Sequence, residues 1–244
     1  MELANYCAAG DLTALQTYCA RKKVTAEQVR KTNALASACN AGHLKVAYWL
    51  QQTFQLTAED ARAADNDALR AACECGHLEV ARWLQQTFQL TAADARAVCC
   101  EALREACKYG HLEVARWLQQ TFQLTAADAR ANGNIALCGA CKYNHLGILR
   151  WLQRTWGISP KALATVRRIP KSVACATYLQ SLRALRWSPC THAEFPLATR
   201  RLALLLLLVC QRLTREPSVP GALPPLPPEL WHHLLSYLPA YLPT

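Results

Sequence analysis

Histidine, cysteine, aspartate and tryptophan are the residues of this chain with chemistry to offer, and each recurs at a fixed interval. His43, His77, His111 and His145 are spaced 34 residues apart, as are Cys39, Cys73, Cys107 and Cys141. A metal ion needs its ligands to converge on one point. One ligand per 34 residues, always at a helix start, does not converge, so the histidines are read as structural hydrogen-bonding residues. The cysteine series suits a small apolar side chain in a helix–helix contact. Cys138 and Cys141 form a lone Cys-x-x-Cys with no second pair and no histidine at zinc-like spacing, and core cysteine is the expected role. Cys99-Cys100 falls between repeated helices and is read as chance variation. Asp60, Asp94 and Asp128 each follow a threonine by three positions, which is the spacing of a helix cap rather than of a general acid or base. Trp49, Trp83, Trp117 and Trp151 are expected to fill an inter-repeat core rather than stack a ligand. Neither a glycine-rich phosphate loop nor a nucleophile beside a base occurs. The sequence therefore predicts no enzyme, no cofactor, no metal and no small-molecule substrate.

The elements behind this periodicity follow from the copies themselves. Gly76–Ala97 (GHLEVARWLQQTFQLTAADARA) recurs unchanged as Gly110–Ala131. A near copy starts at Gly42 and a weaker one at Asn144, so the period is 34 throughout. A fixed period in this range marks a repeat array. Within one unit, Asp67–Cys75 has Ala68, Leu69, Ala72 and Cys73 on one face at helical spacing. Gly76 stops that helix as a C-terminal glycine does. His77–Phe88 then carries Leu78, Val80, Ala81, Trp83 and Leu84 on a broad apolar stripe. Thr57–Asp60, Thr91–Asp94 and Thr125–Asp128 have capping-box form, with a glutamine version at Thr25–Gln28, and Ser159-Pro160 keeps the cap. A short third helical turn is predicted at each of these places, not a β-hairpin.

GHLEVARWL resembles the second helix of the ankyrin repeat, and ALRAAC with its following glycine resembles the first. The likeness covers residues 2–187. It implies an all-α, ankyrin-like helical repeat solenoid with a helical C-terminal extension. Residues 1–187 form the array: a degenerate first unit over 1–31, repeat units over about 32–159, and a capping unit over 160–187. Residues 188–244 form the extension, with an apolar helix over Ala198–Glu216, a proline-rich bend over Pro217–Pro228 and a short amphipathic helix at the end.

Composition narrows the setting. The chain has 244 residues, 52% of them hydrophobic, with a net charge of +10. The 13 cysteines could suggest a disulfide scaffold. Their repeat positions, and a start lacking the basic and apolar regions of a signal peptide, favour free thiols in a reducing compartment. The expected location is cytoplasmic or nuclear, not secreted. The longest apolar run, Leu202–Cys210, is too short to span a bilayer. Of 27 basic side chains 10 lie after residue 159, against 3 of 17 acidic ones, so the basic excess belongs to the C-terminal part. That excess gives an alternative function: a nucleic-acid or membrane-surface binder.

What remains is binding to protein. The copies differ at chosen places, and in a repeat array loop tips and the concave face are free to vary while interiors must match. The candidate partner-binding residues are Asp65, Asn66, Asp67, Arg70, Glu74, Glu101, Arg104, Lys108, Tyr109, Asn132, Asn134, Lys142 and Tyr143. Tolerant surface positions would show the same variation. Leu226–Pro239 (LPPELWHHLLSYLP) resembles the opening helix of an F-box. The apolar helix with Leu206 and Cys210, followed by LPPLPPEL, is similar to a SOCS box. Both resemblances imply a ubiquitin-ligase adaptor as partner, docked through Leu226, Pro227, Glu229, Leu230, Trp231, Leu234, Leu235 and Leu238. The competing reading is an amphipathic helix that covers the end of the array. The expected function is a non-catalytic protein-binding scaffold, acting as substrate receptor for a cullin-type ubiquitin ligase.

Overall fold

The structure, a computed structural model, describes residues 2–158, 173–184, 200, 201 and 203. All regular structure among them is helical, with no strand. In order these are α1 (Glu2–Ala9), α2 (Leu12–Lys22), α3 (Ala26–Lys31), α4 (Ala34–Asn40), α5 (Leu44–Phe54), α6 (Ala58–Glu74), α7 (Leu78–Phe88), α8 (Ala92–Ala95), α9 (Ala97–Tyr109), α10 (Leu112–Phe122), α11 (Ala126–Lys142), α12 (Leu146–Trp156) and α13 (Val173–Ala184). The chain divides into two compact parts between His145 and Leu146. The first carries α1–α11, and the second carries α12 and α13. The end of the repeat region at residue 187, Ser159-Pro160 and the whole of 204–244 lie outside the described residues. The expected F-box-like or SOCS-box-like segment therefore lies outside them as well.

In the first part the helices pack in chain order. α1 meets α4, α4 meets α6, α6 meets α9 and α9 meets α11. This row buries Leu35, Cys39, Leu69, Cys73, Leu103, Cys107, Leu137 and Cys141. The second helix of each unit buries Val46, Ala47 and Leu50, then Val80, Ala81 and Leu84, then Val114, Ala115 and Leu118. The apolar stripe read from period 3.6 is thus the buried one. The tryptophans correct the expectation: Trp151 is buried, but Trp49, Trp83 and Trp117 are only half-buried. Each of those three meets a phenylalanine of its own helix edge-on, at centroid distances of 5.7, 5.6 and 5.5 Å from Phe54, Phe88 and Phe122. They cover the rim of the core rather than fill its centre.

Three devices set the joints. At Gly76 (φ 77°) the chain leaves α6 in the left-handed region that favours glycine. The His77 amide donates back to Ala72 O at 2.8 Å and closes the turn. Second, the predicted capping boxes form. The Thr91 amide donates to Asp94 Oδ2 at 2.7 Å and the Thr125 amide to Asp128 Oδ2 at 2.7 Å, with the same arrangement at Thr57–Asp60 and Thr25–Gln28. The predicted helical turn is present at each of these four sites. Third, left-handed backbone follows the capped turns: Asn33 (φ 48°) after the first, Val98 and Cys100 (46° and 60°) after the third, and three consecutive residues after each of the other two. Ala64, Asp65 and Asn66 have φ of 49°, 60° and 61°, and Asn132, Gly133 and Asn134 have 51°, 73° and 65°. Asparagine, aspartate and glycine are the residue types that tolerate this region. This sharp turn re-aims the chain into the next core helix.

Candidate partner-binding face

The residues that vary between copies separate into two groups. Asp65, Asn66, Asn132 and Asn134 sit in the left-handed turns. Asp65 and Asn132 are exposed and Asn134 half-exposed, but Asn66 is buried, and its Oδ1 has no hydrogen-bond partner. Asn66 is thus corrected from a surface candidate to an interior one. The left-handed backbone turns its side chain inward, which a period count does not reveal.

The second group lies on one face of α6, α9 and α11. Arg70 pairs with Asp67 one turn before it and with Glu74 one turn after, and reaches Glu101 of α9 at 3.9 Å. Arg104 pairs with Glu101 and, at 3.2 Å, with Glu105. Lys108 Nζ donates to Glu105 Oε2 at 2.7 Å. The bond to Glu105 raises the Lys108 pKa above the ordinary lysine value, and burial opposes it only in part. Asp67, Arg70, Glu74, Glu101, Arg104 and Lys108, all candidates, are therefore one alternating ladder of ion pairs, joined through Glu105. The ladder is largely compensated and holds its side chains in fixed positions.

At its end the ladder gives way to aromatic surface. Tyr109 and Tyr143 are 42% and 45% exposed, among the most exposed large apolar side chains described. Their rings lie 6.4 Å apart, tilted by 22°. Lys108 Nζ stands 4.5 Å from the Tyr109 ring centre and Lys142 Nζ 5.2 Å from that of Tyr143. The two Lys–Tyr pairs occupy equivalent positions in successive units. Tyrosine with a nearby cation is the side-chain chemistry common at the centre of protein interfaces.

The residues shared by the copies make the scaffold. Each capping aspartate also accepts a two-pronged bond from an arginine of the preceding unit. Arg30 Nε reaches Asp60 Oδ1 at 2.6 Å, Arg62 reaches Asp94 at 2.8 Å and Arg96 reaches Asp128 at 2.9 Å, each with a second bond at 3.2–3.3 Å. Burial would raise the Asp128 pKa, but Arg96 and the Thr125 amide and hydroxyl outweigh it and hold it at about 2. The available signal was the arginine that recurs at Arg62 and Arg96, each 32 residues before a capping aspartate, with Arg30 standing 30 residues before Asp60 in the degenerate first unit. The histidines form a second latch. His43 Nε2 lies 3.0 Å from Ala8 O of the preceding unit. The rings of His43, His77, His111 and His145 cover Gly10, Gly42, Gly76 and Gly110, where an added Cβ would come within 2.4–2.6 Å of ring atoms.

Among the described residues no three His, Cys, Asp or Glu side chains are placed to hold a metal ion. Burial raises the thiols of Cys7 and Cys107 to about 12, which makes them poor nucleophiles. A recess lined by Val29, Asn33, Leu35, Leu56, Ala63 and Ala68 has room for about 40 Å³, far below a metabolite site. No described helix is long and apolar enough to cross a membrane. The docking candidates Leu226, Pro227, Glu229, Leu230, Trp231, Leu234, Leu235 and Leu238 lie outside the described residues. No protein-family model matches the chain, and a search of curated proteins returns no match.

Proposed function

We propose that the chain is a non-catalytic protein-binding scaffold, an ankyrin-like repeat array that presents the ion-pair ladder and the Tyr109–Tyr143 face to a protein partner. The supporting observation is the division of labour between residue classes. The side chains shared by the copies latch neighbouring units, through Arg–Asp and His–Gly contacts. Most of those that differ gather on one exposed face, where two stacked tyrosines break a charged surface. A surface kept only for solubility needs no such stack, since exposed aromatic rings lower solubility. In this reading the extension over 188–244, similar to an F-box or SOCS box, brings a ubiquitin-ligase adaptor to whatever the face has bound.

Affinity purification of the full chain beside its Tyr109→Ala/Tyr143→Ala variant tests the face. Both rings are substantially exposed, so the variant is expected to keep its melting temperature and lose the partner. Retention of every co-purified protein by the variant would refute the assignment of the face. Truncation before Pro217 tests the extension separately: ligase components should disappear while the face-bound partner remains.

A further inference from the structure

We propose that the partner enters this face as a peptide segment whose carboxylate side chain binds Lys142, beside an apolar side chain laid on Tyr109 and Tyr143. The proposal rests on the protein-binding reading above and adds the chemistry of the partner. It comes from comparing two units that place the same residues in the same positions. In α9, Lys108 has an internal counter-ion three residues before it, with Glu105 Oε2 at 2.7 Å. In α11, Lys142 stands at the equivalent position, 34 residues on, but the residue equivalent to Glu105 is Gly139. Lys142 is exposed and has no acidic partner among the described residues.

The lysine and tyrosine of the Glu–Lys–Tyr set are thus kept while the acid is missing. The gap is a tight one. A Cβ built on Gly139 would stand 3.1 Å from Lys108 Cβ and 3.2 Å from its Cα, so close approach of α9 and α11 leaves no comfortable room for a side chain. A carboxylate from outside can instead reach the exposed Lys142 from the solvent side and serve as the counter-ion that Glu105 is to Lys108. The flanking rings, 6.4 Å apart, supply apolar contact for a neighbouring aromatic, proline or aliphatic side chain. A polyanion such as single-stranded nucleic acid fits less well. Continuing along the face it would meet Glu105, Glu101, Glu74 and Asp67, whereas one carboxylate meets only Lys142 and the tyrosines.

The test selects peptides of random sequence, displayed on phage, against the full chain, and measures the strongest as fluorescein-labelled probes by anisotropy. The expected result is enrichment of Asp or Glu within a few residues of an aromatic or proline. Affinity should fall roughly tenfold or more when the peptide carboxylate becomes its amide, and likewise in Lys142→Met, in line with the loss of a charge-assisted bond. Cys138→Glu, which sets a carboxylate one turn before Lys142, should also weaken binding. Enrichment of peptides without an acid would overturn the inference, as would failure to enrich any peptide or equal affinity for wild type and Lys142→Met. So would a thymidine oligonucleotide that binds more tightly and displaces the probe. If selected peptides lose affinity in Tyr109→Ala/Tyr143→Ala but ignore Lys142→Met, this inference falls and the protein-binding face stands. If partner recovery is also indifferent to the tyrosines, both fall.

Discussion

Asp94 does two jobs at once. It accepts from the Thr91 amide and hydroxyl, ending the unpaired start of α8, and it accepts from two nitrogens of Arg62 in the preceding unit. Asp94→Ala should therefore cost more than Arg62→Met, about 2–3 kcal/mol for the aspartate change, because that change loses cap and pair together. Urea unfolding of the two variants measures the difference. The Asp128 carboxyl, held at about 2 in the folded chain, ionises near its ordinary value of about 3.9 when unfolded. Its contribution is present above that ordinary value and is lost as the pH falls toward 2. His111 follows the same direction in pH for a different reason, since here the fold favours the neutral form over the charged one. Burial lowers its pKa, against the backbone bond at Glu74, and His145 and His77 lower it further. Protonation therefore favours the unfolded chain. Stability contributed here is complete above the ordinary imidazole value of about 6.5 and declines as the pH falls below it. A melting-temperature series from pH 7.5 to pH 5 should decline, and His111→Gln should flatten the slope.

The helices were legible because their signals are local. An apolar stripe at period 3.6, a glycine stop and a threonine three residues before an aspartate each act within one or two turns. What was not legible depends on backbone handedness or on contact between units. Asn66 is an example: polar, at a varied position, yet buried, because three consecutive left-handed residues rotate it inward. The half-burial of Trp83 was hidden likewise, since a stripe shows which side faces the core but not how far the neighbour extends. The Arg–Asp latch could have been found, had the 32-residue spacing of Arg62–Asp94 and Arg96–Asp128 been weighed beside the cap. The left-handed turns also carry strain that can be removed. Val98, β-branched and 45% exposed, has φ 46°. A β-branched residue there is under steric strain, so Val98→Gly should raise stability by about 1 kcal/mol. Gly76→Ala should do the reverse, costing about 2–4 kcal/mol through the left-handed φ and the collision with His111. Thermal melts of both variants check the opposite signs.

Over the first compact part, the repeated joints make the chain modular. Gly76–Ala97 and Gly110–Ala131 are identical, so removing residues 98–131 leaves each junction with a partner of the same chemistry. His145 would meet Gly76 in place of Gly110. The shortened chain is expected to fold cooperatively with a smaller urea slope, because less surface is exposed on unfolding. It should also lose the Tyr109–Tyr143 pair and, with it, the partner. The claim that binding lives where the copies differ is tested most directly by hydrogen exchange on the full chain with and without its co-purified partner. The account predicts new protection in the backbone around Glu105–Tyr109 and Gly139–Tyr143, with the repeated segments unchanged. Protection confined to Gly76–Ala97 and Gly110–Ala131, or none in the first compact part, would contradict it.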